Sequence, residues 1–432
     1  MKKIFVYMAA ALALAASCNK MEEVNTPVDT PAATETITVE LNPQTKTALD
    51  GMNTVWSDGD MVSVTVGGKK VGTLTLVSGS IFSGEITAGL EGTAEATLNY
   101  GETVPTTQVA VAGSFANGAA LLEGTTTVAA LRAGTGATLQ NQTALLQFQT
   151  PVAGDVAFTI GSTTYTVTGC ETGKTYYACV DPENTGKLTY TVGIVLGGKE
   201  ASSFTPVANK IHPLGTLTLK ESTFSVCGDN NSWGDTYMYE TAQDNFFVCY
   251  GVTFSKAGYF KVRNNAVWTD EYNFGIKTKG IKEKNKVFGV FPHGDSQDIG
   301  IDAGTYDVYF DRLAGQLYMM ETGKSYTDAV KEDVPSTKYC LIGSFNDSNW
   351  SDIDMTYSGD GIWTINQTFN AADEWKIRKK NDWGENWGKS NVSKAGKDLV
   401  SDGSDGNVKT NSAGDYVITF VKDWNYIAIV QK

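Results

Sequence analysis

Apolar and polar positions in the first half of the chain alternate with a period of two. TITVEL (36–41), MVSVTV (61–66), TLTLV (73–77), VAFTI (156–160), TYTVTG (164–169) and LTYTVGIVL (188–196) are rich in β-branched residues. Gly, Asn, Asp and Pro punctuate them, which is the pattern of short strands joined by turns. No apolar period of 3.6 runs longer than two turns, so the chain predicts an all-β fold of tandem β-sandwich domains. One apolar run is different. Ile4 to Ala16 follows Lys2 and Lys3 and ends in Ala15-Ala16-Ser17-Cys18. It is too short to span a bilayer and has the layout of an export signal. The polar, Pro- and Thr-rich stretch after Cys18 reads as a flexible tether.

The second half contains a repeat of about 95 residues. FSVCGDNNSWGDTYMYE from Phe224 lies over YCLIGSFNDSNWSDIDMTY from Tyr339. FFVCYGVTF (246–254) lies over IWTINQTF (362–369), and GYFKVRNNAVW (258–268) over DEWKIRKKNDW (373–383). YNFG and NWG then correspond, as do AGTYDVYFD (303–311) and AGDYVITFV (413–421). A repeat of this length is a domain, not a solenoid unit. The expected boundaries are therefore a signal peptide at 1–17, a tether at 18–35, and sandwiches at 36–140, 141–221, 223–321 and 338–432.

Strand alternation sorts the repeat's side chains. Trp375 with Ile377, and Phe260 with Val262, face the core. Lys376 with Arg378, and Lys261 with Arg263, are expected on the outward face, beside loops carrying Trp383 and Trp268. Trp383 and Trp387 lie in KKNDWGENWGKS, a polar, Gly-rich stretch with little core to join, and exposed indoles there predict a binding surface. Trp363, Trp375 and Trp424 are expected in the scaffold. An aromatic face beside cations suits a neutral polyol, whose ring C–H face stacks while hydroxyls accept hydrogen bonds.

Composition narrows the functions. The chain has 432 residues, 34 basic and 48 acidic, for a net charge of −14, which is no footprint for nucleic acid. Only two histidines occur, His212 and His293, leaving little for histidine-based catalysis or metal binding. GxSxG, HExxH and P-loop motifs are absent, and SDGSDG (401–406) lacks the spacing of a calcium loop and reads as a turn. No enzyme activity and no cofactor are expected. Cys170 and Cys179 flank a turn-like segment that would allow a hairpin disulfide, while Cys227, Cys249 and Cys340 read as small core residues. Of nine tryptophans, Trp56 alone precedes residue 220, so aromatic binding chemistry is concentrated in the second half.

Three resemblances extend this reading. The segment before Cys18 resembles a bacterial lipobox, which implies lipidation of Cys18 and an outer-membrane anchor, and Glu22 and Glu23 resemble a surface-export signal. KTALDGMNTVWSDGDMVSV and ALLQFQTP resemble fimbrillin-like exported proteins, which implies a scaffold role for Trp56 and the Asp58-Gly59-Asp60 turn. No arginine precedes Arg132, so the protease site of fimbrillin assembly is missing. KIRKKNDWGENWG and IGSFNDSNW resemble the carbohydrate-binding modules of SusE/SusF-type starch-binding outer-membrane lipoproteins. That likeness implies binding residues at Trp350, Lys376, Arg378, Asn381, Trp383, Asn386 and Trp387. In the first repeat it implies Trp233, Lys261, Arg263, Asn265, Trp268, Tyr272 and Asn273. The implied partners are a polysaccharide or oligosaccharide, starch-like α-glucan first, and an outer-membrane glycan transporter complex. The alternative is a fimbrillin-like structural or adhesive surface protein.

Overall fold

The computed structural model describes residues 33–43, 56, 58–116, 118–347, 349–392 and 394–432. The signal segment, Cys18 and the tether up to residue 32 lie outside the described residues. Strands dominate everything described, and the all-β class with several sheets holds along the chain. No described helix is long and apolar enough to cross a membrane.

Strands Thr34–Pro43, Met61–Val66, Lys69–Ser78, Ile81–Thr87, Glu95–Tyr100, Leu122–Thr127 and Ala137–Asn141 close into a barrel. Closure comes from the first strand. Its early residues pair antiparallel with Ile81–Thr87, and Leu41–Pro43 pair parallel with Ala137–Leu139. Inward residues such as Val62, Val64, Ala96 and Leu98 are buried while their neighbours are not, as the alternation requires. Trp56 closes this core edge-on to Phe82 and Tyr100 and donates its indole N–H to the Leu41 carbonyl at 3.0 Å. The second body stacks a sheet built on Gly154–Ile160, Thr163–Cys170 and Gly186–Val192 against Ala144–Gln149, Thr175–Val180 and Ile211–Thr216. Residues 107–109 leave the barrel's sequence span and pair with 166–168 in this body.

The two repeat units follow one plan. Strand Gly258–Asn264 pairs with Glu221–Gly228 in the first, and Glu374–Lys379 pairs with Tyr339–Gly343 in the second. Each unit packs a separate apolar core, around Phe260, Val262 and Phe310 in one and Trp375, Ile377 and Phe420 in the other. Several of their strands are buried on both faces. In Gly414–Val421 every residue from Tyr416 onward is buried, and Tyr306–Phe310 behave likewise. The inner face meets the unit's own core. The outer face of the first unit packs on Val195 and Tyr326, and that of the second unit on Phe291. Two-sided burial gives near-continuous apolar strands instead of alternating ones.

The hairpin disulfide does not form. Cys170 and Cys179 are free, as are Cys227, Cys249 and Cys340, and all five are buried. Burial pushes the Cys179 thiol up to about 12 and Cys170 up to about 11, so thiolate, the reactive form, is scarce. The intact mass of the chain should therefore be unchanged by reduction. Cys170 and Cys179 should resist iodoacetamide in the folded chain and react only in guanidinium chloride. Peptide mapping checks this; a 170–179 disulfide-linked peptide contradicts it.

Candidate functional site

In each repeat unit an arginine projects from the penultimate position of a strand, on the side away from the core. Its strand partner is an asparagine of the next strand: Arg263 lies opposite Asn273, and Arg378 opposite Asn386. Neither arginine reaches open solvent. The loop after the unit's opening strand folds over it and delivers a carboxylate. Asp235 takes Arg263 in a bidentate pair, from Nε to Oδ1 at 2.8 Å and from Nη2 to Oδ2 at 2.7 Å. Asp352 accepts from Arg378 Nε at 2.6 Å. Both pairs are largely buried, so each charge depends on the other.

The indole comes from the hairpin connection. Trp268 lies over the Arg263 guanidinium at 4.5 Å from the ring centre, and Trp383 over that of Arg378 at 4.3 Å. The planar cation is attracted to the ring face and stiffens it. Trp383 remains 55% exposed and Trp268 46%, so the ring surface turned from the cation is open. In the first unit Trp233 sits beside Trp268 with centroids 6.1 Å apart at 49°, making a two-indole surface. Trp233 donates its indole N–H to Asp229 at 3.0 Å. Trp233 and Trp350, each two residues before its aspartate, both have left-handed backbones, with φ of 62° and 56°. Bulky side chains adopt that conformation only where their surroundings hold them there.

Two readings of the sequence need correction. Trp387 is not part of an exposed platform. It is 6% exposed, packs on Tyr339 and Phe420, and donates to Asn425 Oδ1 at 2.8 Å. The reason is register. Lys379 pairs with Asp382 but Arg378 pairs with Asn386, so residues 383–385 bulge out of the hairpin. Trp383 leaves with the bulge, and Trp387 returns to the ladder opposite Ile377, on the core face. Phe274, which occupies the same place in the first unit opposite Val262, is buried too. The second correction concerns the cations. Arg263, Arg378 and Lys261 point away from the core but are buried, and the arginines donate to aspartates instead of standing free.

Most of the remaining expected residues are spent on internal contacts, and two lie exposed. Asn386 Nδ2 holds the bulge through the Trp383 carbonyl at 2.9 Å. Asn381, at φ 60°, donates its backbone N–H to Asp352 Oδ2. Lys376 is spent on the Asp405 carbonyl at 2.8 Å, within the SDGSDG turn. Lys261 reaches Ser296 Oγ at 3.3 Å, and burial lowers its ammonium pKa. Asn273 is buried and donates to the Gly294 carbonyl, leaving its Oδ1 without a partner among the described residues. Asn265 and Tyr272 are exposed. Asp235 and Asp352 escaped the sequence reading, although the repeat aligns them at matching places after Trp233 and Trp350.

No family model matches the chain, and no curated protein does. Among solved structures it is similar to SusF from Bacteroides thetaiotaomicron, at 15% identity and a TM-score of 0.19, over 67% of this chain and 76% of that one. It is also similar to a fimbrial protein from Bacteroides ovatus, at 11% identity and a TM-score of 0.27, over 50% of this chain and 57% of that one.

Two outcomes follow. Trp387→Ala should destabilise residues 338–432 by about 3–5 kcal/mol, as large core truncations do. Trp383→Ala should change stability by less than about 1 kcal/mol. Pulse proteolysis in urea separates them, and equal effects would contradict the assigned faces. The second outcome concerns acid. The Arg263 hydrogen bonds, helped by Ser225, hold the Asp235 carboxyl below its ordinary value. A lowered carboxylate stabilises the fold fully above its unfolded value of about 3.9 and loses that contribution as pH falls through the folded value. Unfolding of residues 221–321 should thus steepen below about pH 4. Asp235→Asn should flatten that limb; an unchanged acid limb would contradict the pairing.

Proposed function

We propose that the chain is a non-catalytic cell-surface lipoprotein that holds polysaccharide through two arginine-backed indole platforms. The observation that carries this reading is the same Asp–Arg–Trp stack built twice, as Asp235–Arg263–Trp268 and Asp352–Arg378–Trp383. A flat, fixed, open aromatic surface rimmed by amides suits the C–H face of a sugar ring better than a hydrophobic or charged ligand. Asp235 and Asp352, the carboxylates on the stacked guanidiniums, are tied to arginine, which favours binding over acid–base chemistry. Starch-like α-glucan is the first ligand to test, on the likeness of KIRKKNDWGENWG to SusE/SusF-type modules. Lipidation at Cys18 would place the platforms outside the outer membrane, beside a glycan transporter.

Affinity electrophoresis through gels containing amylopectin, pullulan, dextran or xyloglucan tests the reading. At least one gel should retard the full chain. Trp383→Ala and Trp268→Ala should each weaken retardation by about tenfold, the scale of a lost aromatic anchor, and the double variant more than either. Asp352→Asn should weaken it with Trp383 still present, because the cation beneath the ring is released. A chain retarded by no polysaccharide, or by one polysaccharide equally in all variants, defeats the proposal. The adhesive alternative instead predicts SDS-resistant ladders from surface extracts.

A further inference from the structure

The two repeat units are docked, and the seam carries a cleft that neither platform uses. Phe291 of the first unit packs with Ile362, Val421, Tyr426 and Ala428 of the second. Tyr426 donates its hydroxyl to the Pro292 carbonyl at 2.8 Å in a buried contact. Arg312 donates to the Gln431 carbonyl at 2.9 Å, and Lys277 and Lys282 pair with Asp423 and Asp360. At Gly289 the backbones come so close that a Cβ would meet the Gly359 carbonyl oxygen at 2.4 Å. The seam is thus a packed interface with matched polar groups.

At one edge it opens into a cleft of about 530 Å³. Trp424, expected in the scaffold, instead forms one wall. Its ring stands edge-on to Phe291 at 5.1 Å and to His293 at 5.8 Å, yet the residue is 37% exposed. His293, from the other unit, packs edge-on to Tyr426 at 4.7 Å. His293 Nδ1 accepts the Asp295 backbone N–H at 2.7 Å, so the neutral ring carries its proton on Nε2. Ser390, Asn391, Val392 and Asn425 complete the lining, and none of these groups carries a fixed charge. Asn391 is itself fixed, donating to the Asn425 carbonyl at 3.1 Å and accepting from Gly388.

We propose that this cleft is a third sugar-binding site, taking one or two neutral pyranose rings of a glycan. An open indole offers the stacking face. The histidine N–H, the serine hydroxyl and the asparagine amides offer donors and acceptors at its rim. An anion would find no cation in this lining, and an apolar ligand would strand the amides. The volume falls in the range of small-molecule sites. The site needs residues from both repeat units, so docking creates it. Its ligand class is that of the platforms, but its residues are separate from theirs.

Saturation-transfer NMR on the full chain, with the methyl glycosides of glucose, galactose, mannose and xylose as probes, tests the proposal. A Trp268→Ala/Trp383→Ala chain, lacking both platforms, should still transfer saturation to at least one glycoside. Adding Trp424→Ala should weaken that binding by about tenfold. Ser390→Arg, an exposed position outside either core, should do the same by filling the cleft. It guards against a packing defect from the Trp424 change. Signal that survives both additions overturns the cleft. A platform-free chain with no signal also overturns it, and if the parent chain gives signal there, the platform reading stands. A parent chain that gives none defeats both readings.

Discussion

Everything at the two platforms depends on a guanidinium that has been taken out of water. A charge placed on the outer face of a strand and then covered costs several kcal/mol unless a counter-charge reaches it. That requirement fixes the surrounding chain. The loop after each unit's opening strand must bring Asp235 or Asp352 within hydrogen-bond reach, and it does so through a tryptophan held in the left-handed region. Such a conformation costs about 1–3 kcal/mol, which an ion pair of this burial can offset. Once the pair is made, the guanidinium is a fixed flat cation, and an indole can lie on it without wandering. The exposed ring is ordered because the buried pair beneath it is.

This changes the role read from strand alternation. An outward Lys/Arg stripe suggests free donors for a ligand, but Arg263 and Arg378 spend donors on aspartate and present their π face to tryptophan. The asparagines do similar internal work. Asn386 ties the bulge that throws Trp383 outward, and Asn273 sits opposite Arg263 at the matching place. The residue types expected at a sugar site are thus present, yet several are spent on holding the indole in place.

The all-β class was legible because alternation survives in strands with one solvent face, such as MVSVTV and VAFTI. The repeat located both platforms, since Arg263 and Arg378 align without any structure. Trp387 was misread for a definite reason. It lies with Trp383 in KKNDWGENWGKS, whose polar, Gly-rich composition placed both indoles outside the core. The three-residue bulge at 383–385 sends only Trp383 outward, and nothing in the local composition announces it. A better signal lay in the other repeat, where Phe274 stands in its place and is plainly apolar. Asp235 and Asp352 were hidden by abundance, since 48 carboxylates offer too many candidates until a buried arginine selects among them.

The near-continuous apolar strands carried a further message. GDYVITFV and GTYDVYFD do not alternate, because their second face is also buried. A sheet buried on both faces needs a neighbour, and Val195 with Tyr326 on one side and Phe291 on the other supply it. The seam between the repeat units follows from that demand. On the proposed reading it also sets what two binding surfaces on one chain could do. Units joined by a loose linker would search for a polymer independently, and the second contact would form at an effective concentration set by linker length. Units locked by Phe291, Tyr426 and Arg312 have one spacing. A glycan whose bound shape matches it gains the full multivalent benefit, and one whose helix or branching does not match gains none. On the proposed reading, selectivity among polysaccharides therefore comes from the rigid seam as much as from either indole. On that reading the platforms would select a ring, and the distance between them would select the chain.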